Sequence, residues 1–213
     1  MTIAIDGPAG SGKSTVAKAV AKKTGFIYID TGSMYRALAL KALEKKYDIN
    51  KEEDIKELIL TTKFSLENNS LLIDSKPISA KIRNKDVTDL SSQIAVNEDV
   101  RAFLVDEQRN IAKKNNVVME GRDIGTVVLE NSRNKFYLDA SPEVRAKRRI
   151  LQREEELSEL NIKNTISKIS ERDKRDSSRR VGPLKVADDA IYIDTSNLSF
   201  EEVVKIIVER LVK

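Results

Sequence analysis

Cysteine and histidine are both absent from this chain of 213 residues. Without cysteine the chain has no disulfide, no thiol nucleophile and no cysteine-ligated zinc site. Without histidine it lacks the commonest general base and the commonest metal ligand of proteins. Any chemistry must therefore depend on lysine, arginine, carboxylates and backbone amides.

Long hydrophobic runs are also missing. No segment approaches the roughly 20 apolar residues that span a bilayer, and the apolar run at residues 3–5 is far too short for a secretory signal. We therefore expect a cytoplasmic protein with no membrane partner. The length suits a single domain with a substantial core, and the balance of 40% apolar and 34% charged residues is ordinary for a soluble protein.

Positive charge is concentrated in one part of the chain. The net charge is only +4, but residues 145–180 contain twelve basic and seven acidic residues. Such a stretch is compatible with a polyanion such as RNA or with a compact polyphosphate. The interleaved glutamates and the lack of nearby stacking aromatics weaken the RNA interpretation. We expect small nucleotides as partners and no nucleic acid.

The N-terminal segment has the pattern of an α/β protein. Residues 2–6 are predicted to form a buried strand, residues 14–24 a helix and residues 26–29 a second strand. Gly25 stands where a helix C-terminal glycine belongs, and a second helix is predicted to follow residue 30. This strand–helix–strand order predicts a parallel sheet with a right-handed crossover.

The pattern changes at about residue 61. Three short strands are predicted at residues 63–66, 70–74 and 77–82, and the pairs Asn68-Asn69 and Ser75-Lys76 between them favour tight reversals. We interpret residues 61–87 as a small antiparallel insertion. The later predictions are helical residues 88–115, strands at 117–119 and 135–138, helices at 142–159 and 165–176, a strand at 190–193 and a helix at 200–212.

The string from Gly7 to Ser14 matches the phosphate-loop pattern G-x-x-x-x-G-K-[ST]. Its glycines allow successive backbone N–H groups to surround phosphate oxygens at the start of a helix. Lys13 is predicted to bridge the β- and γ-phosphates, and the Ser14 hydroxyl to ligate Mg²⁺. The alternative is a glycine-rich turn that binds nothing. The motif predicts the phosphate donor but does not identify the acceptor. The predicted ATP-binding residues of this region are Gly7, Pro8, Ala9, Gly10, Ser11, Gly12, Lys13, Ser14 and Thr15.

Arginines in polar contexts suggest that the acceptor is itself a phosphate. Phosphoryl transfer to a phosphate needs no strong base, because the acceptor is already anionic, but it needs positioned guanidiniums to relieve crowded negative charge. Any one of these arginines could instead solvate a charged helix. The candidates are Arg36, Arg122, Arg148, Arg149, Arg153, Arg172, Arg175 and Arg179.

Three further strings follow the phosphate loop in order: D-T-G-S-M-Y-R at residues 30–36, E-G-R-D-I-G-T-V-V at 120–128 and E-R-D-K-R-D-S-S-R at 171–179. Together they resemble bacterial cytidylate (CMP/dCMP) kinases, essentially from end to end. The resemblance implies a three-layer P-loop NTPase fold, with a parallel central sheet flanked by helices, an antiparallel insertion in the region that binds the nucleoside monophosphate (NMP), and a helical lid. It also implies one kinase domain over residues 1–213, with a core at 1–60, 88–144 and 177–213, and a lid with its following helix at about 145–176, the lid itself running from Arg145 to about residue 164.

The resemblance also implies roles for individual residues. It assigns Arg36, Arg122 and Arg179 to the acceptor phosphate, and a carboxylate with an arginine to the edge of cytosine, where an amine lies beside two acceptors. The alternative for that carboxylate, Asp123, is an ordinary helix N-cap. The implied CMP-binding set is Thr31, Tyr35, Arg36, Ser92, Arg101, Arg122, Asp123, Arg172, Asp176 and Arg179, of which Ser92, Arg101 and Asp123 would read the base and Arg172 and Asp176 would hold the sugar. The implied catalytic residues are Lys13, Arg122, Arg148 and Arg179, and the lid would add Arg149 and Arg153 to the ATP site.

The implied reaction is transfer from ATP to CMP or dCMP, giving ADP and CDP or dCDP in pyrimidine nucleotide metabolism, with Mg²⁺ held by Ser14 and otherwise through water. A monomer is expected. Two positions depart from the family pattern, since Thr31 replaces a serine of some relatives and Glu120 stands where aspartate is common. The rival interpretations are a P-loop kinase of another small acceptor, and a non-catalytic nucleotide sensor or RNA-associated protein that uses the arginines of residues 145–180.

Overall fold

The computed structural model describes residues 1–212, which divide into two compact units. The first unit comprises Met1–Tyr28 and the chain from Asn116 onward, and the second comprises Ile29–Asn115. The predicted division into core, insertion and lid stays a prediction. In chain order the elements are β1 (Thr2–Asp6), α1 (Lys13–Thr24), β2 (Ile27–Asp30), α2 (Thr31–Lys45), α3 (Glu52–Leu60), β3 (Phe64–Glu67), β4 (Ser70–Ile73), β5 (Lys76–Pro77), α4 (Lys85–Ile94), α5 (Glu98–Lys114), β6 (Val117–Gly121), β7 (Asn134–Asp139), α6 (Pro142–Gln152), α7 (Glu159–Ser177), β8 (Ile191–Asp194) and α8 (Phe200–Glu209).

A five-stranded sheet with the order β2-β6-β1-β7-β8 forms the centre of the first unit. The pairings of β1 with β6 and β7, and of β7 with β8, are all parallel. Ile3, Ile5 and Phe136 are almost fully buried in this sheet, and α1 and α8 contribute apolar side chains to the same core. The predicted α/β fold with a parallel sheet is confirmed. The phosphate-loop string follows β1 at its carboxyl end, where parallel α/β sheets bind their ligands.

The second unit contains α2 to α5 and a three-stranded sheet with the order β3-β4-β5. Its pairings are antiparallel, as predicted. Asn68 and Asn69 have φ of 49° and 61°, and Asp74 and Ser75 have 49° and 62°, which is the geometry of tight two-residue hairpin turns. The third predicted strand, residues 77–82, is wrong. The strand ends at Pro77, which has no N–H to donate to a sheet ladder, and Ala80–Arg83 form a 3₁₀ turn.

The structure differs from three of the predicted helices, of which the one predicted at 200–212 ends at Glu209. Residues 88–115 are not one helix but two, because the Asn97 side chain accepts a hydrogen bond from the Val100 N–H and starts α5 afresh. The helix predicted at 142–159 ends at Gln152. There the backbone turns through Glu154, whose φ is 58°, and the Ser158 side chain caps the start of α7. Helix α3 was not predicted.

Candidate active site

The phosphate loop leaves β1 and enters α1 through three glycines with positive φ: Gly7 at 154°, Gly10 at 81° and Gly12 at 87°. A Cβ atom at Gly7 would lie 2.1 Å from the carbonyl oxygen of Leu138, so only glycine fits beside β7. Gly12 precedes α1 and supplies no capping side chain. The first N–H groups of α1 therefore face the loop, in the arrangement that binds anions.

Lys13 and Ser14 begin α1 and already make ordered contacts. The Lys13 ammonium is largely buried and donates to the carbonyl oxygen of Pro8 over 3.1 Å, which folds its side chain back across the loop. The Ser14 hydroxyl donates to Glu120 Oε1 over 2.6 Å, and the Tyr28 hydroxyl donates to the same oxygen over 3.2 Å. A hydroxyl and a carboxylate thus lie together at the end of β6. Glu120 was noticed in the sequence only as a departure from the family pattern.

Asp6 ends β1 and is 4% exposed. Its carboxylate accepts hydrogen bonds from the Ile124 N–H over 2.8 Å and from the Gly125 N–H over 2.7 Å. Burial raises the pKa of Asp6 to about 7, although these two hydrogen bonds oppose the shift. The two contacts fix the start of the π-helical turn Ile124–Val128. Asp6 therefore positions the turn that follows Arg122 and Asp123, a role that sequence reasoning missed.

Three of the predicted acceptor arginines meet at one carboxylate. Asp176, 3% exposed, accepts from Arg122 Nε over 2.8 Å, forms an ion pair with Arg179 and lies 3.9 Å from Arg172 Nε. Arg122 also donates to the carbonyl oxygen of Gly7 over 3.1 Å. The cluster thus adjoins the phosphate loop within the first unit.

The cluster stays ionised despite its burial. Burial favours the neutral form of Asp176, but the Arg122 and Arg179 guanidiniums outweigh it and hold the pKa of that carboxyl below its usual value. Burial likewise disfavours the charged form of Arg122, yet Asp176 raises the pKa of Arg122. The cluster itself thus combines three guanidiniums with one carboxylate, an arrangement that suits a phosphate ligand.

The predicted lid arginines differ in their contacts. Arg148 donates to the Thr195 hydroxyl over 2.8 Å and to the Thr195 carbonyl oxygen over 2.7 Å, and one of its nitrogens lies 3.4 Å from the carbonyl oxygen of Ser11 in the phosphate loop. Arg149 donates to Gln152, and Arg153 pairs with Glu155 over 3.6 Å with its side chain 45% exposed. The structure therefore brings Arg148 to the loop, whereas the hydrogen bond of Arg149 to Gln152 and the ion pair of Arg153 with Glu155 lie within their own segment.

The second unit holds the remaining predicted acceptor residues. Arg36 forms an ion pair with Asp30 over 2.8 Å, and Asp30 also caps the start of α2. Arg101 is 2% exposed, and its guanidinium lies 5.9 Å from the centre of the Tyr35 ring, within range of a cation–π contact. The Ser92 hydroxyl donates to the Thr88 carbonyl oxygen of its own helix. Tyr35 and Arg101 are thus brought together.

Two predicted site residues are defined mainly by burial. Thr31, which begins α2, is 4% exposed, and Asp123 in the first unit is 8% exposed. The Asp123 side chain makes no N-cap hydrogen bond to the π-helical turn that follows it. The ordinary capping role, which was the alternative interpretation of this carboxylate, is therefore not the one it performs here.

Within residues 1–212 no group of three or more acidic, histidine or cysteine side chains is arranged to hold a metal ion. Magnesium at nucleotide phosphates is typically bound by one or two protein oxygens together with water and the phosphates themselves. The adjacent oxygens of Ser14 and Glu120 fit that pattern. In the same part of the chain no helix combines the length and the apolar character that a membrane crossing requires.

Comparisons with known proteins agree over almost the whole chain. The family model described as cytidylate kinase matches residues 3–213. A cytidylate kinase of Clostridium botulinum is 48% identical over 204 residues, which cover 96% of this chain and 94% of that protein. A cytidylate kinase of Caldanaerobacter subterraneus is 44% identical over 211 residues, covering 99% and 94%. An uncharacterized protein from Eubacterium ventriosum, of known structure, has a TM-score of 0.54 at 14% identity and covers 98% of this chain and 96% of its own, which is a likeness of fold.

Proposed function

The chain belongs to the cytidylate kinase family, and we propose that it transfers the γ-phosphoryl group of ATP to CMP or dCMP, giving ADP and CDP or dCDP. The match of the family over residues 3–213 carries this conclusion. The geometry supports it, because a phosphate loop and a cluster of three arginines occur side by side in the first unit. The family that the sequence motifs indicated is confirmed.

On the donor side, the phosphate loop and Lys13 would hold the β- and γ-phosphates of ATP. The Lys13 ammonium now rests on a carbonyl oxygen of the loop, and it would exchange that neutral acceptor for an anionic phosphate. Ser14 would ligate Mg²⁺ directly and Glu120 through water. When bound, the ion would neutralise charge that develops on the phosphates.

On the acceptor side, Arg36, Arg122 and Arg179 would hold the phosphate of CMP. That phosphate is already an anionic nucleophile, so these residues position it and spread its charge instead of removing a proton. Arg122 contacts the carbonyl oxygen of Gly7, which is consistent with a guanidinium that serves both phosphates. Arg148 would add positive charge from the donor side, since it lies beside the carbonyl oxygen of Ser11.

Ser92, Arg101 and Asp123 would read the cytosine. An ionised carboxylate accepts a hydrogen bond from the exocyclic amine of cytosine. Uracil presents a carbonyl oxygen at that place, which leaves two acceptors facing each other. Leaving buried polar groups unpaired costs about 1–3 kcal/mol, which is enough for strong discrimination. Arg172 and Asp176 would hold the sugar, with Tyr35 and Thr31 nearby. Arg149 and Arg153 would complete the ATP site from the lid.

The test is the rate of ADP formation over a panel of nucleoside monophosphates. We expect the highest kcat/KM with CMP and dCMP, and faster turnover with UMP or AMP would overturn the proposal. A catalytically silent protein that binds RNA in a salt-sensitive manner, with binding retained in Lys13→Ala, would favour the RNA-associated alternative. Size-exclusion chromatography with light scattering would test the expected monomer.

A further inference from the structure

The apex of the phosphate loop is held by a pair of charged side chains, Arg145 and Asp173, for which the proposed reaction has no role. The contacts of this pair with Ala9 are called the grip below. Asp173 Oδ1 accepts a hydrogen bond from the Ala9 N–H over 3.0 Å, and Arg145 donates to the Ala9 carbonyl oxygen over 3.1 Å. Arg145 and Asp173 form an ion pair with each other. Both polar groups of the Ala9 residue are therefore bound by one pair of side chains, which come from α6 and α7.

The two side chains of the grip are each placed by further contacts around their own helix. Arg145 is 8% exposed, and its Nε donates to the Ala140 carbonyl oxygen over 3.0 Å, which leaves the guanidinium little freedom. The backbone of Arg145 also packs on the loop, since a Cβ atom at Gly10 would lie 2.9 Å from its carbonyl oxygen. On the other side, Asp173 lies one turn before Asp176, the carboxylate that holds Arg122 and Arg179.

We infer that Asp173 and Arg145 are positioning residues that hold the apex of the phosphate loop in its ATP-binding shape and join it to α7. The inference rests on ATP being the donor, as proposed above. A loop whose N–H groups must converge on phosphate oxygens loses affinity when it has to be ordered at the moment of binding. Here the ordering is done in advance by two side chains that bind the backbone of the loop itself.

The sign of the effect separates this role from simple electrostatics. A carboxylate beside a phosphate site repels the ligand, so removing the charge of Asp173 would tighten ATP binding if charge alone mattered. Loss of the grip has the opposite effect. Because Asp173→Ala removes a hydrogen bond between a charged group and the loop, we expect it to weaken MgATP binding by on the order of tenfold.

The experiment is calorimetric titration of MgATP into the protein without any acceptor, followed by steady-state kinetics. Asp173→Ala should raise the Kd and the KM for ATP about tenfold and change the KM for CMP less than about twofold. Glu171→Ala, an exposed carboxylate on the same helix, is the matched control and should bind MgATP like the wild type. Equal or tighter ATP binding by folded Asp173→Ala would overturn the inference, as would an equal rise in both KM values, which would indicate a displaced helix.

Two further variants complete the test. Asp173→Asn keeps an oxygen for the Ala9 N–H but turns an amide toward Arg145, so it should weaken ATP binding about threefold; wild-type affinity would count against the grip even if Asp173→Ala fails to fold. The double variant Asp173→Ala/Arg145→Met should bind ATP no more weakly than the worse single variant, because the two side chains form an ion pair and hold the same residue, Ala9. Multiplicative losses would contradict a shared grip. Since ATP binding is measured without acceptor, a wild type that binds ATP but leaves CMP unphosphorylated would refute the proposed function and not this inference.

Discussion

Replacing Asp176 by asparagine tests the charge cluster beside the phosphate loop most directly. The substitution keeps the shape of the side chain and one acceptor oxygen but removes the negative charge that Arg122, Arg172 and Arg179 share. The Arg122 side chain is 14% exposed and that of Arg179 is 11% exposed, so neither guanidinium can readily turn to water. The variant therefore leaves two nearly buried cations next to a neutral amide.

The expected loss of stability follows from this burial. Removing one partner of a buried ion pair costs about 3–5 kcal/mol. The remaining amide oxygen still accepts one hydrogen bond, and the Arg172 side chain is 40% exposed and regains water, which places the expected value near the lower end, at about 3 kcal/mol. Because the cluster is also proposed to hold the acceptor, the KM for CMP should rise by at least about tenfold.

The pH dependence gives a second check with a definite sign. The pKa of Asp176 lies below its ordinary value in the folded protein, so its pairing stabilises the fold above the unfolded-state pKa of about 4 and is lost as the pH falls through the lowered value. The difference in unfolding free energy between wild type and Asp176→Asn should thus be full at pH 7 and shrink in acid.

Urea denaturation followed by circular dichroism measures both quantities. Glu171→Gln, an exposed carboxylate on the same helix, is the control and should lie within about 0.5 kcal/mol of the wild type. A variant within about 1 kcal/mol of wild type at pH 7, with an unchanged KM for CMP, would refute the view that this carboxylate organises the arginines.

Three other changes have defined outcomes. Lys13→Ala should lower kcat by orders of magnitude while circular dichroism shows an intact fold, and retained turnover would mean that the loop is misinterpreted. Asp123→Asn should reduce the ratio of kcat/KM for CMP over UMP, since an amide donates as well as accepts; an unchanged ratio would remove Asp123 from base reading. Asp6→Asn should abolish a pH-dependent part of the stability. The folded-state pKa of Asp6 is about 7, well above the ordinary 3.8, so wild type should lose up to about 4 kcal/mol relative to the variant as the pH rises from 4 to 7. If the difference in unfolding free energy between wild type and Asp6→Asn, measured by urea denaturation, did not change over that pH range, burial would not raise the pKa of Asp6 as described.

Local features of the fold were predictable because their causes are local. The glycines of the phosphate loop, the helix-ending Gly25 and the Asn68-Asn69 reversal each act through their own backbone conformation. The break between α4 and α5 depends instead on the side chain of Asn97, which accepts a hydrogen bond from a backbone N–H and so interrupts the helix. The hydrophobic periodicity of residues 88–115 continues across this break and therefore does not reveal it. Residues 77–82 were misjudged for a similar reason, since strand propensity there loses to the proline and the following 3₁₀ turn.

The supporting contacts of the site were not predictable, because they join residues far apart in the sequence. Asp6 meets Ile124 and Gly125 only because β1 and β6 are neighbours in the sheet. The strand that follows β1 in the chain is β2, but β6 lies between the two in the sheet. The contact of Asp173 with Ala9 spans 164 positions. Motifs identify residues that face a ligand, whereas the residues that hold those motifs in place depend on topology.

The contacts of Glu120 bear on the one departure of the phosphate region from the family pattern. A carboxylate at the end of β6 must reach the hydroxyl that begins α1, and a glutamate side chain is one methylene longer than an aspartate. The extra length is accommodated here because Ser14 and Tyr28 both donate to Oε1, which holds the carboxylate against the start of α1. Tyr28 lies within the adjacent strand β2. The contacts of Glu120 with Ser14 and Tyr28 thus hold a carboxylate beside the Ser14 hydroxyl, which is the place that the proposed magnesium-ordering role requires.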